Sequence, residues 1–115
     1  MIYISPVTEK DKLTNEACRI KVSPAGLKST EVYGSTWSKA DLGVSAATVL
    51  CDKTNTNKSD LYGYVTEISI PRSKLRIEDG KVMVNFSIFD RQGGEEAISS
   101  TSSTSTAKWI PIIGL

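Results

Sequence analysis

The sequence contains no histidine, the side chain that most often serves as a general acid or base near neutral pH. This absence excludes Ser-His-Asp and Cys-His catalytic arrangements and almost all zinc and copper sites. The adjacent acids Glu95 and Glu96 cannot work as an acid–base pair, because neighbouring residues of a strand point to opposite faces. We therefore expect no enzyme activity, no catalytic residue, no metal site and no cofactor.

Cysteine is scarce as well: Cys18 and Cys51 are the only two in the chain, and their separation fits no metal-ligand motif. Two cysteines are too few for the disulfide framework of a small secreted domain. The simpler interpretation is two buried thiols that pack as small apolar side chains. A disulfide between two facing sheets is the alternative.

Long hydrophobic runs are also lacking, which excludes a membrane-spanning helix of about 20 apolar residues. The segment before Pro6 has no basic region and is too short for a signal peptide.

Neither sign of charge is in excess, since 14 basic and 13 acidic side chains give a net charge of +1. This balance disfavours nucleic acid and anionic membranes as partners. We expect a protein of the cytoplasm or of a virion.

Alternation of apolar and polar residues with a period of two is the dominant pattern, and it predicts β-strands. The clearest example is 81–90, in which the even-numbered residues from Val82 to Ile88 are all apolar. Because 115 residues suffice for one domain only, residues 1–115 are expected to form a single unit. We predict an all-β, immunoglobulin-like β-sandwich of about seven short antiparallel strands. Further strands are expected over 17–22, 31–37, 44–51 and 62–70.

The dipeptide Asp79-Gly80 lies between two alternating segments and indicates a type I′ hairpin turn, in which both central residues have positive φ. Such a turn fixes the register of the strands on either side. Opposite charges then meet beside the turn and apolar residues meet beyond it. The expected pairs are Glu78 with Lys81, Ile77 with Val82, Arg76 with Met83, and Leu75 with Val84.

The second half of the chain, about 62–110, shows an ordered series of strands and turns. A strand ends in Ile70-Pro71, Asp79-Gly80 follows after a short link, and an alternating strand then ends at Asp90. The turn residues Gly93-Gly94 and a Ser/Thr-rich segment complete the series. In this order the segment resembles bacterial immunoglobulin-like domains. The resemblance implies a rigid module of the kind used in bacterial adhesins, surface proteins and phage virion proteins, and it implies no active site.

Arg72, Lys74 and Arg76 form a basic stripe on one face of an expected strand, and Met83 and Phe89 lie beside it in the predicted register. A solvated sheet face is the simpler interpretation of such a stripe. Because the overall charge is balanced, a protein partner is favoured over nucleic acid as its ligand.

Tyr33 and Trp37 flank a Gly-Ser-Thr segment and form a second candidate for partner binding. Aromatic side chains in the loops of β-sandwiches can stack on sugars, so a glycan is one candidate ligand. Packing in the core is the commoner role of such residues.

Two polar segments carry weaker signals. Residues 52–60 are rich in oxygen ligands, but they lack the glycine and the distal Glu of an EF-hand, so an ordinary loop is favoured over a calcium site. Residues 99–106 contain only Ser and Thr and form either an edge strand or a solvated loop.

The chain closes on an apolar segment, 107–115, that must be covered from water. It forms either the last strand of the domain's own core or an arm that adds to a sheet edge of a neighbouring subunit, and Pro111 suits an edge position. Residues 1–13 pose the same question, as a strand or as an N-terminal arm. The candidate assembly residues are Trp109, Ile110, Ile112, Ile113 and Leu115.

These features favour a non-catalytic structural or assembly protein, a component of a phage or virus virion such as a capsid decoration, head or tail protein. Its partner is then protein, either itself or another virion subunit. The alternative is a glycan- or protein-binding immunoglobulin-like module of a bacterial surface protein. A small barrel that binds single-stranded nucleic acid is the weakest hypothesis, because it needs a basic groove with exposed aromatic residues.

Overall fold

The computed structural model describes residues 1–7, 12–23, 25–26, 28–52, 61–90, 94–97 and 106–115. Within these ranges the chain forms nine strands and a one-turn 3₁₀ helix, Arg72–Lys74, and it contains no α-helix. The predicted all-β class is confirmed. The strands are β1 (Ile2–Ser5), β2 (Cys18–Val22), β3 (Lys28–Tyr33), β4 (Trp37–Lys39), β5 (Ser45–Asp52), β6 (Leu61–Ser69), β7 (Val82–Asp90), β8 (Gly94–Ala97) and β9 (Ile110–Ile112).

The strands form one large and one small antiparallel sheet. The large sheet has the order β4-β3-β2-β1-β7-β8, and β9 pairs with the first residues of β7. Strands β5 and β6 form a separate two-stranded sheet. Because β1 lies between β2 and β7, residues 2–5 are a central strand of the fold and not an arm.

Both faces of the large sheet are buried in part, because β1 and β7 carry apolar residues at consecutive positions. On one face the buried core comprises Ile4, Cys18, Ile20, Leu42, Val44, Val82 and Val84. Tyr3 points to the opposite face, since successive side chains of a strand alternate. There it packs in a second cluster with Leu13, Ala17 and Trp109.

The turn at Asp79-Gly80 forms as the sequence predicts. Asp79 has φ 51° and Gly80 has φ 68°, as a type I′ turn requires, and Glu78 pairs with Lys81. The remaining predicted pairs are wrong: Met83, for example, pairs with Ser5 of β1 on the edge where the sequence predicts Arg76.

The N-terminal strand explains this difference. The backbone groups of Met1 and Ser87 exchange hydrogen bonds. The backbone N–H and C=O groups of the odd-numbered residues in β7 therefore point towards β1, and those of the even-numbered residues point towards the opposite edge. Lys81 bonds to Glu78 on that same edge, but from Met83 onward β1 occupies it. Residues 75–77 therefore leave the ladder.

A second predicted strand, 31–37, is in fact a hairpin. Strand β3 ends at Tyr33, which pairs with Trp37 at the start of β4. The N–H of Gly34 donates to the carbonyl of Thr36 and closes the turn at 3.0 Å. The sequence Gly-Ser-Thr thus reverses the chain.

Cys18 is a free thiol inside the core, and the disulfide alternative does not apply to it. Burial raises the pKa of this thiol to about 11, because the apolar surroundings disfavour the thiolate.

The side chain of Cys51 and the segments 53–60 and 98–105 lie outside the described residues. Among those described, no helix has the length and apolar character needed to cross a membrane.

Candidate functional site

The two-stranded sheet of β5 and β6 is the second layer of the fold, and it covers only part of the large sheet. Ile68 in β6 packs against the core, whereas Val49 and Val65, which face each other across the hairpin, are exposed. Neighbouring strands lie only about 4.8 Å apart. Two strands are therefore too narrow to cover the whole face.

A groove of about 520 Å³ remains open between β6 and the large sheet. Its lining is mainly apolar, which is unusual for a surface in contact with water. Ile88 projects from the same face of β7 as the core residues but is 66% exposed. The apolar residues that line the groove include Ile2, Val22, Tyr64, Ile68, Phe86 and Ile88.

The C-terminal strand extends this apolar surface. Ile110 pairs with Val84 of β7, and cross-strand partners share a face. Ile110 and Ile112 therefore lie on the face that carries Phe86 and Ile88. Phe86, Ile110 and Ile112 are 36%, 41% and 38% exposed. We call Phe86, Ile88, Ile110 and Ile112 the β7–β9 patch.

The C-terminal segment belongs to the domain's own sheet, which is one of the two predicted alternatives. Trp109 is buried in the second cluster, and the N–H of Leu115 donates to the carbonyl of Gly80 at 2.9 Å. Ile113 and Leu115 nevertheless remain exposed. The segment thus anchors the domain and still offers apolar side chains to a partner.

The outer edge of β9 is a poor template for another strand. Ile110 and Ile112 direct their backbone groups towards β7, so the nitrogen of Pro111 points outward and carries no hydrogen. The N–H of Trp109 already donates to Thr106 at 3.0 Å. Strand addition to β9 is therefore disfavoured, and the patch offers side chains rather than an edge.

Tyr33 and Trp37, the predicted aromatic candidates, lie in a row of packed rings. Their ring centroids are 5.2 Å apart, and those of Trp37 and Tyr3 are 6.1 Å apart. Tyr3 in turn contacts Trp109 at 5.7 Å. Trp37 is partly buried, so its main contacts are those of a core residue.

The guanidinium of Arg19 lies over the ring of Trp37. Its guanidinium carbon lies 4.5 Å from the ring centroid, within the range of a cation–π contact. The same guanidinium pairs with Glu31 on the adjacent strand. The hydrogen bond from Arg19 holds the pKa of the Glu31 carboxyl below its ordinary value.

Tyr33 is also among the residues that line a cleft of about 530 Å³, together with Lys74 and Arg76. The cleft therefore joins members of the two predicted binding groups. Arg76 is held there by two carboxylates, Glu16 at 3.1 Å and Glu78 at 2.7 Å. Glu16 has a φ of 73°, a left-handed conformation that is uncommon outside glycine.

The remaining members of the basic stripe lie elsewhere. Arg72 and Lys74 belong to the 3₁₀ helix, so the predicted alignment of the three basic residues along one strand is wrong. Arg72 donates to the carbonyl of Leu115 at 2.5 Å, and Met83 packs against the aromatic cluster. The side chain of Phe89 lies outside the described residues.

Several contacts in these surfaces cannot be predicted from the sequence, because they join residues that are distant in the chain. Glu16 meets Arg76 across a separation of 60 residues, and Arg19 reaches Trp37 through two strand pairings. Within the described ranges, no group of three or more cysteine, aspartate or glutamate side chains is placed to hold a metal ion.

Comparison with protein-family models, curated proteins and solved structures finds no match for the chain. The resemblance to bacterial immunoglobulin-like domains therefore stays a prediction.

Proposed function

We propose that this protein is a non-catalytic structural component of a phage or virus virion, such as a capsid decoration, head or tail protein. It assembles with further copies of itself through the β7–β9 patch. We interpret its fold as an immunoglobulin-like sandwich whose second layer is narrow. The observation that carries the proposal is the exposure of four large apolar side chains on a face whose other residues form the core.

Two properties favour a second copy as the occupant of the patch. The net charge of +1 means that copies of the chain repel one another little, whereas a large net charge would keep them apart. Ile113 and Leu115 add exposed apolar surface at the end of the strand that carries half of the patch. An obligate interface between identical subunits is built from such apolar side chains.

Light scattering of the purified chain over a range of concentrations tests the assembly. We expect a defined oligomer, because burial of the patch removes apolar surface from water. A monomer at every concentration would contradict self-association.

Mass spectrometry of purified virus particles tests the second part of the proposal. Peptides of this chain should be present in the particles at a fixed ratio to other virion proteins. Their presence in infected cells together with their absence from the particles would contradict the virion assignment.

A further inference from the structure

We infer that the large sheet accepts a β-strand from another protein chain, in line with β1. The three strands at the centre of this sheet differ in length. β1 begins at Ile2, which pairs with Ile20 and Phe86. Beyond that point β2 continues to Val22 and β7 continues to Asp90. These two strands are two strand spacings apart, about 10 Å, so the space between them has the width of one strand. We call the space between Val22 and the last residues of β7 the β1 slot.

Val22 forms one wall of the β1 slot with its backbone. Ile2 directs its N–H and C=O groups towards β2, because the odd-numbered residues of β1 bond to β7. Its partner Ile20 therefore points towards β1, and so does Val22, since alternate residues of a strand share an edge. The bond from the N–H of Tyr33 to the carbonyl of Ala17 agrees, because it directs the odd-numbered residues of β2 towards β3. The N–H and C=O groups of Val22 thus point into the slot.

Phe89 forms the opposite wall, again with its backbone. The odd-numbered residues of β7 point towards β1, and Ser87 bonds to Met1. Phe89 is the next odd-numbered residue, and β8 lies on the other edge of β7. Within the described ranges, no backbone group bonds to Val22 or Phe89 on the side of the slot. Each wall therefore presents one N–H group and one C=O group to the slot.

Two successive residues of a single strand satisfy both walls. Successive residues direct their backbone groups to opposite edges, so one residue bonds to Val22 and the preceding one bonds to Phe89. β1 is antiparallel to β2 and to β7, so a strand that runs in the same direction as β1 is antiparallel to both. Such a strand forms hydrogen bonds on both of its edges, whereas a strand added to the outside of a sheet forms them on one edge only.

The apolar groove beside β6 determines the side chain of the residue that bonds to Val22. In the register of β1, that residue lies opposite Val22 and Ile88, and its side chain shares their face. Val22 and Ile88 line the groove together with Tyr64, and Tyr64 and Ile88 are 47% and 66% exposed. An apolar side chain at this place removes part of that surface from water. The occupant of the slot is thus an extended polypeptide with an apolar residue opposite Val22.

A fatty acyl chain also suits an apolar groove, but it does not suit the slot. It has no groups that bond to the backbone of Val22 and Phe89, and it would displace the water that hydrates them. A polypeptide strand supplies a donor and an acceptor to each wall. The inference does not depend on self-association through the β7–β9 patch, although Phe86 and Ile88 line the groove as well.

The first test fills the slot from the same chain, by placing Thr-Val before Met1. The valine then lies opposite Val22 and the threonine lies opposite Phe89. Thr-Pro before Met1 is the matched control, because proline has no N–H to donate to Val22. We expect the Thr-Val form to melt at least about 4 °C higher than the control. Its Val22 and Phe89 amides should exchange with solvent about tenfold more slowly than those of the wild type. Equal melting temperatures, or unprotected amides, would overturn the inference.

The second test uses a separate chain, the peptide acetyl-Ser-Ser-Thr-Val, whose last two residues match that extension. In an NMR titration it should shift the amide resonances of Val22 and Phe89 to saturation, and acetyl-Ser-Ser-Thr-Pro should bind at least about tenfold more weakly. The protein that carries the Thr-Val extension should not bind the peptide, because its slot is filled. No saturable shift, equal binding of both peptides, or binding of lauric acid alone would overturn the inference. A monomer that binds the peptide would contradict the proposed self-association and support the slot.

Discussion

Val84 and Ile88 project from the same face of one strand, yet Val84 is 3% exposed and Ile88 is 66% exposed. The difference arises where the two-stranded layer stops covering the large sheet. Ile88, a large apolar side chain on the core-facing side of β7, is therefore exposed to water, and the groove beside it has an apolar lining. This relationship is the basis for the proposed assembly.

The turn between the 3₁₀ helix and β7 depends on Gly80. Gly80→Ala should lower the free energy of unfolding by about 1 kcal/mol, because alanine is strained at a φ of 68°. Gly34→Ala is the matched control, since a Cβ there meets open space and φ is not left-handed. Chemical denaturation of the two variants measures the difference, and equal stabilities would contradict the type I′ turn.

Glu31 should make the folded state depend on pH. Its pKa is lowered in the fold by the hydrogen bond from Arg19, so the carboxylate stabilises the protein above its unfolded-state pKa. This contribution is lost as the pH falls through the lower, folded-state pKa. The unfolding free energy of the wild type should therefore fall more steeply with acid than that of Glu31→Gln. Glu67→Gln, at an exposed position on β6, should follow the wild-type curve.

The thiol of Cys18 should be unreactive in the folded protein. It is 1% exposed and its pKa is about 11, so little thiolate forms at pH 8 and the reagent has no access. In a Cys51→Ser variant, a thiol-specific chromogenic reagent should react only after denaturant is added. Rapid reaction without denaturant would show that Cys18 is not in the core.

Local patterns in the sequence predict the strands but not their partners. The predicted segments 17–22, 44–51, 62–70 and 81–90 agree with β2, β5, β6 and β7, because alternation with a period of two depends only on neighbouring residues. The Asp79-Gly80 turn is local for the same reason. The pairing of β7 with β1 is not local, and β1 occupies the edge of β7 on which residues 75–77 are predicted to pair.

For the candidate surfaces as well, the sequence predicts the residue types but not which residues lie together. The apolar character of Ile110 and Ile112 is visible in the sequence, but their position beside Phe86 depends on which strand takes each edge of β7. The cleft requires Glu16 to meet Arg76 at 3.1 Å, and no spacing rule links residues that are so distant in the chain.

The most direct measurement of the central claim is the solution mass of two variants, Ile88→Asp and Val49→Asp. The two residues are 66% and 65% exposed, so each substitution adds a charge at a position of equal accessibility, with little effect on folding. Ile88 lies in the β7–β9 patch, and Val49 lies on the outer face of the hairpin. We predict that Ile88→Asp is a monomer under conditions in which the wild type and Val49→Asp are oligomers. An unchanged oligomer for Ile88→Asp, with its fold intact by circular dichroism, would contradict assembly through the patch.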